Sequence, residues 1–177
     1  GSTGSTGPTG IAGPISQPGL LSQYHNTTQS ISTSVDTPVA FNTVLQTLGT
    51  VGLTYDGVVN VGRFTNTSGT TQAYTVSASV AFQTNGTGTR LLYIGTSGTN
   101  RFSETMYTSV SALDSSVLTT SANFVLNANE YFYVSAWQTS GGNLNIGAFG
   151  GIQGSTITII QTGGAGPTGL TGPTGNT

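Results

Sequence analysis

The sequence predicts an all-β jelly-roll sandwich flanked on both sides by collagen-like Gly-X-Y segments. Three observations carry this reading. Glycine recurs at every third position at both ends of the chain. The middle shows period-two alternation of apolar and polar residues, the mark of half-buried strands. Only 5% of residues are charged, against about 25% in an ordinary soluble domain.

The repeats set the domain boundaries. At the start the chain reads GST-GST-GPT-GIA-GPI, with Gly4, Gly7, Gly10 and Gly13 in strict phase. At the end it reads GGA-GPT-GLT-GPT-GNT, with Gly166, Gly169, Gly172 and Gly175 in phase. Only glycine fits at the crowded axis of a triple helix, whereas a flexible linker has no reason to hold phase. Proline occupies the X position (Pro8, Pro14, Pro167, Pro173) and threonine often follows in Y, which points to a bacterial or viral collagen. The expected organisation is therefore 1–15 collagen-like, 16–27 a connector, 28–162 the head and 163–177 collagen-like. A chain that begins with glycine and stops inside a repeat reads as a piece of a longer polypeptide. Triple helices need three chains, so the head is expected to be a homotrimer with threefold symmetry.

Within the head, no stretch has helical periodicity. The early strands are expected at Gln29–Val35, Val39–Thr43, Thr50–Tyr55 and Val58–Thr65. The clearest strand is Gln72–Phe82, where Tyr74, Val76, Ala78, Val80 and Phe82 form one face. Asn85-Gly86-Thr87-Gly88 then turns the chain into a return strand, Arg90–Thr96. Strands follow at Phe102–Thr108, Val117–Leu126 and Tyr131–Gln138, with turns at Ser97-Gly98 and Asn127–Glu130. Leu144–Ile146 and Ser155–Thr162 complete the set. Many short strands at regular spacing argue for a sandwich or jelly roll. Tyr74, Val76, Val80, Phe82, Tyr133, Trp137, Ile157 and Ile159 are expected to pack the core or the contacts between subunits.

Composition removes several function classes. The cations are Arg63, Arg90 and Arg101, with no lysine, so there is no clustered charge to replace phosphate counterions and no nucleic-acid partner is expected. No run of 18 apolar residues exists, so no membrane span is expected. There is no cysteine and thus no thiol nucleophile or thiolate metal site. The single histidine, His25, falls in the connector and reads as a solvated or interface residue; no nucleophile-elbow pattern surrounds any serine. The chain is not expected to be an enzyme, to carry a cofactor or to hold a catalytic metal. With so few charges, Arg63, Arg90, Arg101 and Glu104 are each expected in a structural ion pair or at an interface. The tripeptides starting at Asn26, Asn66 and Asn85 fit the N-glycosylation pattern, which an Asn/Thr-rich chain produces by chance.

The order of these segments resembles a known family. Val58-Val59-Asn60-Val61-Gly62-Arg63-Phe64 precedes Tyr74–Val80, then Asn85–Arg90 with an apolar strand behind it. Phe124-Val125-Leu126 leads to the acidic turn at Glu130 and to Tyr133–Gln138, and Ile157–Ile160 closes the series. This is similar to the tumour-necrosis-factor-like and complement globular-head jelly rolls. The resemblance implies trimeric heads on collagen stalks, first and last strands paired at one pole, and occasionally calcium near the trimer apex, for which Asp56 and Asp114 are the available donors. With the Gly-Pro-Thr triplets, the whole chain resembles collagen-like fibres of spore exosporia and large virions. One departure is that collagen resumes at Gly163, so this head lies within a fibre. If both termini share a pole, a straight fibre needs the connector 16–27, about 40 Å when extended, to run along the head. The expected function is trimer registration in an extracellular surface filament, with further copies along or beside the fibre; the alternative is an adhesive head for a host receptor or glycan.

Overall fold

The computed structural model describes residues 19–109, 116–147 and 154–163. The described residues form thirteen strands and no helix. They make two packed antiparallel sheets in jelly-roll order. Sheet A holds β1 (Leu20–His25), β2 (Thr28–Ile31), β4 (Thr43–Leu48), β7 (Gln72–Phe82), β10 (Ser116–Leu126), β12 (Leu144–Gly147) and β13 (Ser155–Gly163). Sheet B holds β3 (Thr37–Pro38), β5 (Leu53–Asp56), β6 (Arg63–Asn66), β8 (Thr89–Thr96), β9 (Thr99–Thr108) and β11 (Tyr131–Gln138). In sheet A, β10 is one edge and β4 the other, with β7, β13 and β1 between them. In sheet B the order is β5-β6-β11-β8-β9, with β3 taking over from β6 along β11.

Period-two alternation places the core. Along β7 every second residue from Gln72 to Phe82 is buried. Along β10 the same alternation runs from Ser116 to Leu126. Sheet A thus contributes Val76, Val80, Phe82, Phe124, Ile157 and Ile159, and sheet B contributes Phe64, Leu92, Ile94, Phe132 and Val134. Each such large side chain contributes about 1.5–3 kcal/mol through removal from water. Tyr74 is also buried; its hydroxyl donates to the Val51 carbonyl at 3.0 Å, and burial pushes its pKa up to about 12. Rings run across the core: Tyr55 lies 4.8 Å from Phe64, Phe64 stacks on Phe132 at 4.9 Å, and Phe132 meets Phe124 at 5.2 Å.

Two expected strands form only in part: Val58–Thr65 is a strand from Arg63 onward, and Val39–Thr43 contributes only Thr43, to β4. Val58 and Val59 are exposed, because the Asp56 carboxylate draws 57–62 into a loop. Its oxygens accept from the Val58, Val59 and Asn60 amides, each at 3.0 Å. Val39 and Phe41 alternate as a strand would and are buried, yet the segment is a link between sheets. Its amides go instead to the Val134 carbonyl, the Gln29 side chain and the Tyr55 hydroxyl.

The stretch read as a connector carries β1. Leu20–His25 pairs with β13 on one side and β4 on the other. The Gln161 amide donates to the Gly19 carbonyl at 2.8 Å, so the described chain enters and leaves at one pole. A connector running the length of the head is thereby excluded. The collagen-like triplets before Gly19 and after Gly163 lie outside the described residues.

Asn66 ties the pole where the described chain enters and leaves, because Leu126 pairs there with Gln72 beside Gln161. It is fully buried. Its Nδ2 donates to the carbonyls of Thr70 and Leu126 at 2.8 and 3.0 Å, and its Oδ1 accepts from the Ser68 amide and hydroxyl. The Asn66 amide group is thus committed to the fold and is not presented as a glycosylation acceptor. Replacing Asn66 with Ala leaves buried carbonyls unpartnered and is expected to lower the unfolding free energy by about 2 kcal/mol or more. Asn123→Ala, which removes only an exposed bond to Thr75, is expected to cost under about 0.5 kcal/mol; urea unfolding of both variants checks the contrast.

Candidate functional site

The two outer faces of the sandwich differ in chemistry. Sheet A has no Asp, Glu, Lys or Arg in any of its strands. The charged side chains of the described residues lie on sheet B strands or in loops. The centre of the outer face of sheet A comes from the residues that alternate with the core set. β7 presents Ala73, Thr75, Ser77, Ser79 and Ala81, and β13 adds Thr156, Thr158 and Ile160. At the two edges this uncharged face becomes apolar. Val117 and Val125 on β10 are 65% and 60% exposed, and Val44 and Leu48 on β4 are 55% and 61% exposed. Beside β10, the edge of sheet B adds exposed Phe102 and Met106.

The outer face of sheet B holds a cleft of about 780 Å³. Its floor is Tyr93 on β8 with Tyr133 and Ser135 on β11, which point outward because Phe132, Val134 and Ala136 point in. The rings of Tyr93 and Tyr133 meet edge to face at 6.2 Å. One wall is Arg63, whose guanidinium carbon sits 3.8 Å from the Tyr131 ring centroid. The other is Arg101, 5.0 Å from the Tyr93 ring and paired with Glu104 at 3.4 Å and Asp36 at 4.0 Å. The cleft opens where β6 leaves β11 and β3 joins it. Gly62 makes that junction possible: its φ is +81°, and a Cβ there would fall 2.6 Å from the Val39 carbonyl oxygen. Burial pushes the Tyr93 and Tyr133 phenols above their ordinary pKa, so both keep their protons at neutral pH and can donate.

The other expected residues are distributed as follows. Tyr74, Val76, Val80, Phe82, Ile157 and Ile159 are buried between the sheets. Tyr133 and Trp137 stand on the outer face of sheet B, half-buried. Arg90 is 1% exposed, and its Nη1 donates to the Thr87 and Gly88 carbonyls at 2.9 Å. Arg101 and Glu104 form the expected ion pair. Both oxygens of Asp56 are engaged by its own loop, whose Val58 amide and Asn60 side chain head the contacts that hold its pKa down to about 2. Asp114 lies outside the described residues. The sequence did not single out Tyr93 or Tyr131; the available signal was a tyrosine on alternate positions of Tyr131–Gln138, outward of the apolar ones.

His25 is the clearest departure. It is neither solvated nor in a connector but 3% exposed, with Nε2 3.3 Å from the Thr27 hydroxyl. Gly147 packs against its ring.

No protein-family model matches the chain, and no curated protein matches it. Solved structures share its fold at low identity. Murine APRIL is 14% identical, with a TM-score of 0.59 over 82% of this chain and 99% of that one. Eiger TNF from S. frugiperda is 13% identical, with a TM-score of 0.57 over 91% of this chain and 100% of that one. PRD1 vertex protein P5 is 16% identical, with a TM-score of 0.53 over 84% of this chain and 99% of that one. These likenesses establish a TNF-like jelly roll as the fold.

Burial lowers the His25 pKa below its ordinary 6.5, so protonation favours the unfolded chain. Stability is then at its full value above about pH 6.5 and falls as pH drops through 6.5 toward the depressed folded value. The melting temperature is expected to decline between pH 7.5 and pH 5 in the native chain. In His25→Gln that part of the decline disappears.

Proposed function

We propose that this chain is a structural trimerisation head within a collagen-like surface filament. Three copies associate through sheet A and its edges, and the association holds three sets of Gly-X-Y triplets together and in register. The observation that carries this reading is the charge-free face of sheet A with apolar strips at its two opposite edges. A face of Thr, Ser, Ala and aliphatic residues loses little hydration on burial, because it holds no ion to desolvate. Two different strips at opposite edges suit a head-to-tail contact, the kind that closes into a ring. The period of three in the flanking sequence supplies the number of subunits, since a collagen triple helix has three strands. Holding three chain starts side by side lowers the entropic cost of nucleating a triple helix. The function is mechanical and needs no titrating group. It suits the outside of a spore or virion, with further copies along or beside the fibre.

A shared pole for entry and exit adds a geometric feature. The triplets on both sides attach beside one another, so the head stands to the side of the fibre and not in line with it. That leaves the outer face of sheet B open to the surroundings. A second reading, an adhesive head on a collagen-like stalk, is favoured by the cleft on that face.

Light scattering on the chain is expected to give three times the 17.9 kDa chain mass, and a version trimmed to 19–163 is expected to stay trimeric. Val117→Asp places a carboxylate on the apolar edge and is expected to yield a monomer with an unchanged far-ultraviolet circular dichroism spectrum. A native chain that runs as a monomer would sink the proposal. A trimmed head that is monomeric would assign assembly to the collagen flanks.

A further inference from the structure

The cleft on sheet B goes beyond trimer assembly, because it lies on the opposite sheet from the uncharged face. We propose that it binds a carboxylate-bearing saccharide, with a sugar ring against the partly exposed Tyr133 and the carboxylate on Arg63. The inference rests on the adhesive reading given above and names its ligand class.

The first argument is the imbalance of charge. Arg101 already faces two carboxylates, at 3.4 and 4.0 Å. Arg63 has no carboxylate within ion-pair distance among the described residues. The nearest acid in register is Asp56 on β5, and its oxygens are taken by the Val58, Val59 and Asn60 amides and the Asn60 side chain. One cation, half-buried on the face of Tyr131, therefore stands at the cleft wall. A guanidinium fits a carboxylate in a planar, two-pronged contact. A single available cation suits one carboxylate and not a polyphosphate.

The second argument is the floor. Tyr131 and Tyr133, 6.4 Å apart, put two partly exposed phenol rings in one open depression, beside the buried Tyr93. Amphipathic rings of this kind take the C–H face of a pyranose while their hydroxyls bond its oxygens. The rest of the lining mixes polar Asp36, Asn60 and Ser135 with apolar Pro38, Val59 and Val61. A volume of about 780 Å³ falls within the roughly 300–1,000 Å³ of small-ligand sites and suits two or three sugar units.

The third argument is support. The floor is built on β8 and β11, at the centre of sheet B. The wall residue Arg63 is anchored by Phe64, which stacks in the core behind it. The floor is thus held by the scaffold, while the loop 57–62 supplies part of the wall.

The test is titration calorimetry on the full chain with di-glucuronic acid and, in parallel, the matching neutral glucose disaccharide. The acidic sugar is expected to bind at least about tenfold more tightly than the neutral one, the effect of one charge-assisted contact. Arg63→Gln is expected to remove that preference while leaving the melting temperature and trimer mass unchanged. Equal binding of the two sugars, or no binding of either up to 10-millimolar ligand (about the weak end of specific recognition), overturns the proposal without needing a variant. Binding of a poly-glutamate peptide as tight as that of the uronate overturns the saccharide assignment in favour of an acidic polypeptide. In each of these cases a trimeric mass leaves the structural reading standing, and a monomeric mass with intact sugar binding separates the two in the other direction.

Discussion

The stacking of Phe64 on Phe132, 4.9 Å apart with ring planes 8° from parallel, fixes the register of sheet B on its inner side. Everything on the outer side follows from it. With Phe132 and Val134 directed inward, the pleat obliges Tyr131, Tyr133 and Ser135 to face out. With Phe64 inward, Arg63 is turned outward onto Tyr131. A slip of one residue in either strand would bury the arginine and expose the phenylalanine. Core packing thus specifies the composition of the cleft, although Arg63, Tyr131 and Tyr133 lie outside the core. The stack also links the two sheets, since Phe132 meets Phe124 of β10 at 5.2 Å.

The segregation of charge is the second organising feature. A chain with eight formally charged side chains could scatter them over every surface. Here sheet A receives none. Its outer face is held instead by threonine and serine hydroxyls bonded across strands, such as Thr75 to Asn123 at 2.7 Å. Such a surface is wettable without being ionic, which lets it stay soluble alone and still pack against a neighbour at small desolvation cost. Sheet B keeps the ions, and two of its arginines lie on tyrosine rings. The same two faces therefore serve different readings: one suits contact with identical chains, the other contact with something foreign.

Much of the fold was legible. β7 and β11 fall on the residues expected from alternation, and the turns at Ser97-Gly98 and Asn127–Glu130 stand where glycine, asparagine and the capping Glu130 predicted them. What failed did so for local physical reasons. β1 was missed because its apolar residues fall on both faces: Leu21 points in, Leu20 and Tyr24 point out, and the other buried positions are polar Gln23 and His25. No binary pattern survives that arrangement. β4 was missed because it is an edge whose side chains are mostly exposed. The valines at 58, 59 and 61 were misread because β-branched residues suggest a strand, while the Asp56 carboxylate captures the Val58, Val59 and Asn60 amides and folds the segment into a loop. The cleft was half legible. Its arginines were noticed for their rarity, but their gathering with Tyr93 depends on the adjacency of β6, β11 and β8, a long-range pairing that no local pattern encodes.

The pairing of β1 with β13 also bears on how the molecule responds to load. Gly19 and Gln161 are neighbours at one end of two antiparallel strands. A pull that separates the two flanks acts on that ladder as on a zipper, rung by rung, instead of shearing all its hydrogen bonds at once. The join between the two strands is therefore the compliant element of a tethered chain. Under tension the ladder would open from Leu20–Ile160 toward His25–Ser155, each rung drawing on the core burial of Leu21, Ile159 and Ile157. A filament carrying such heads at intervals would have extensible links spaced along it, each able to re-zip once the force is gone.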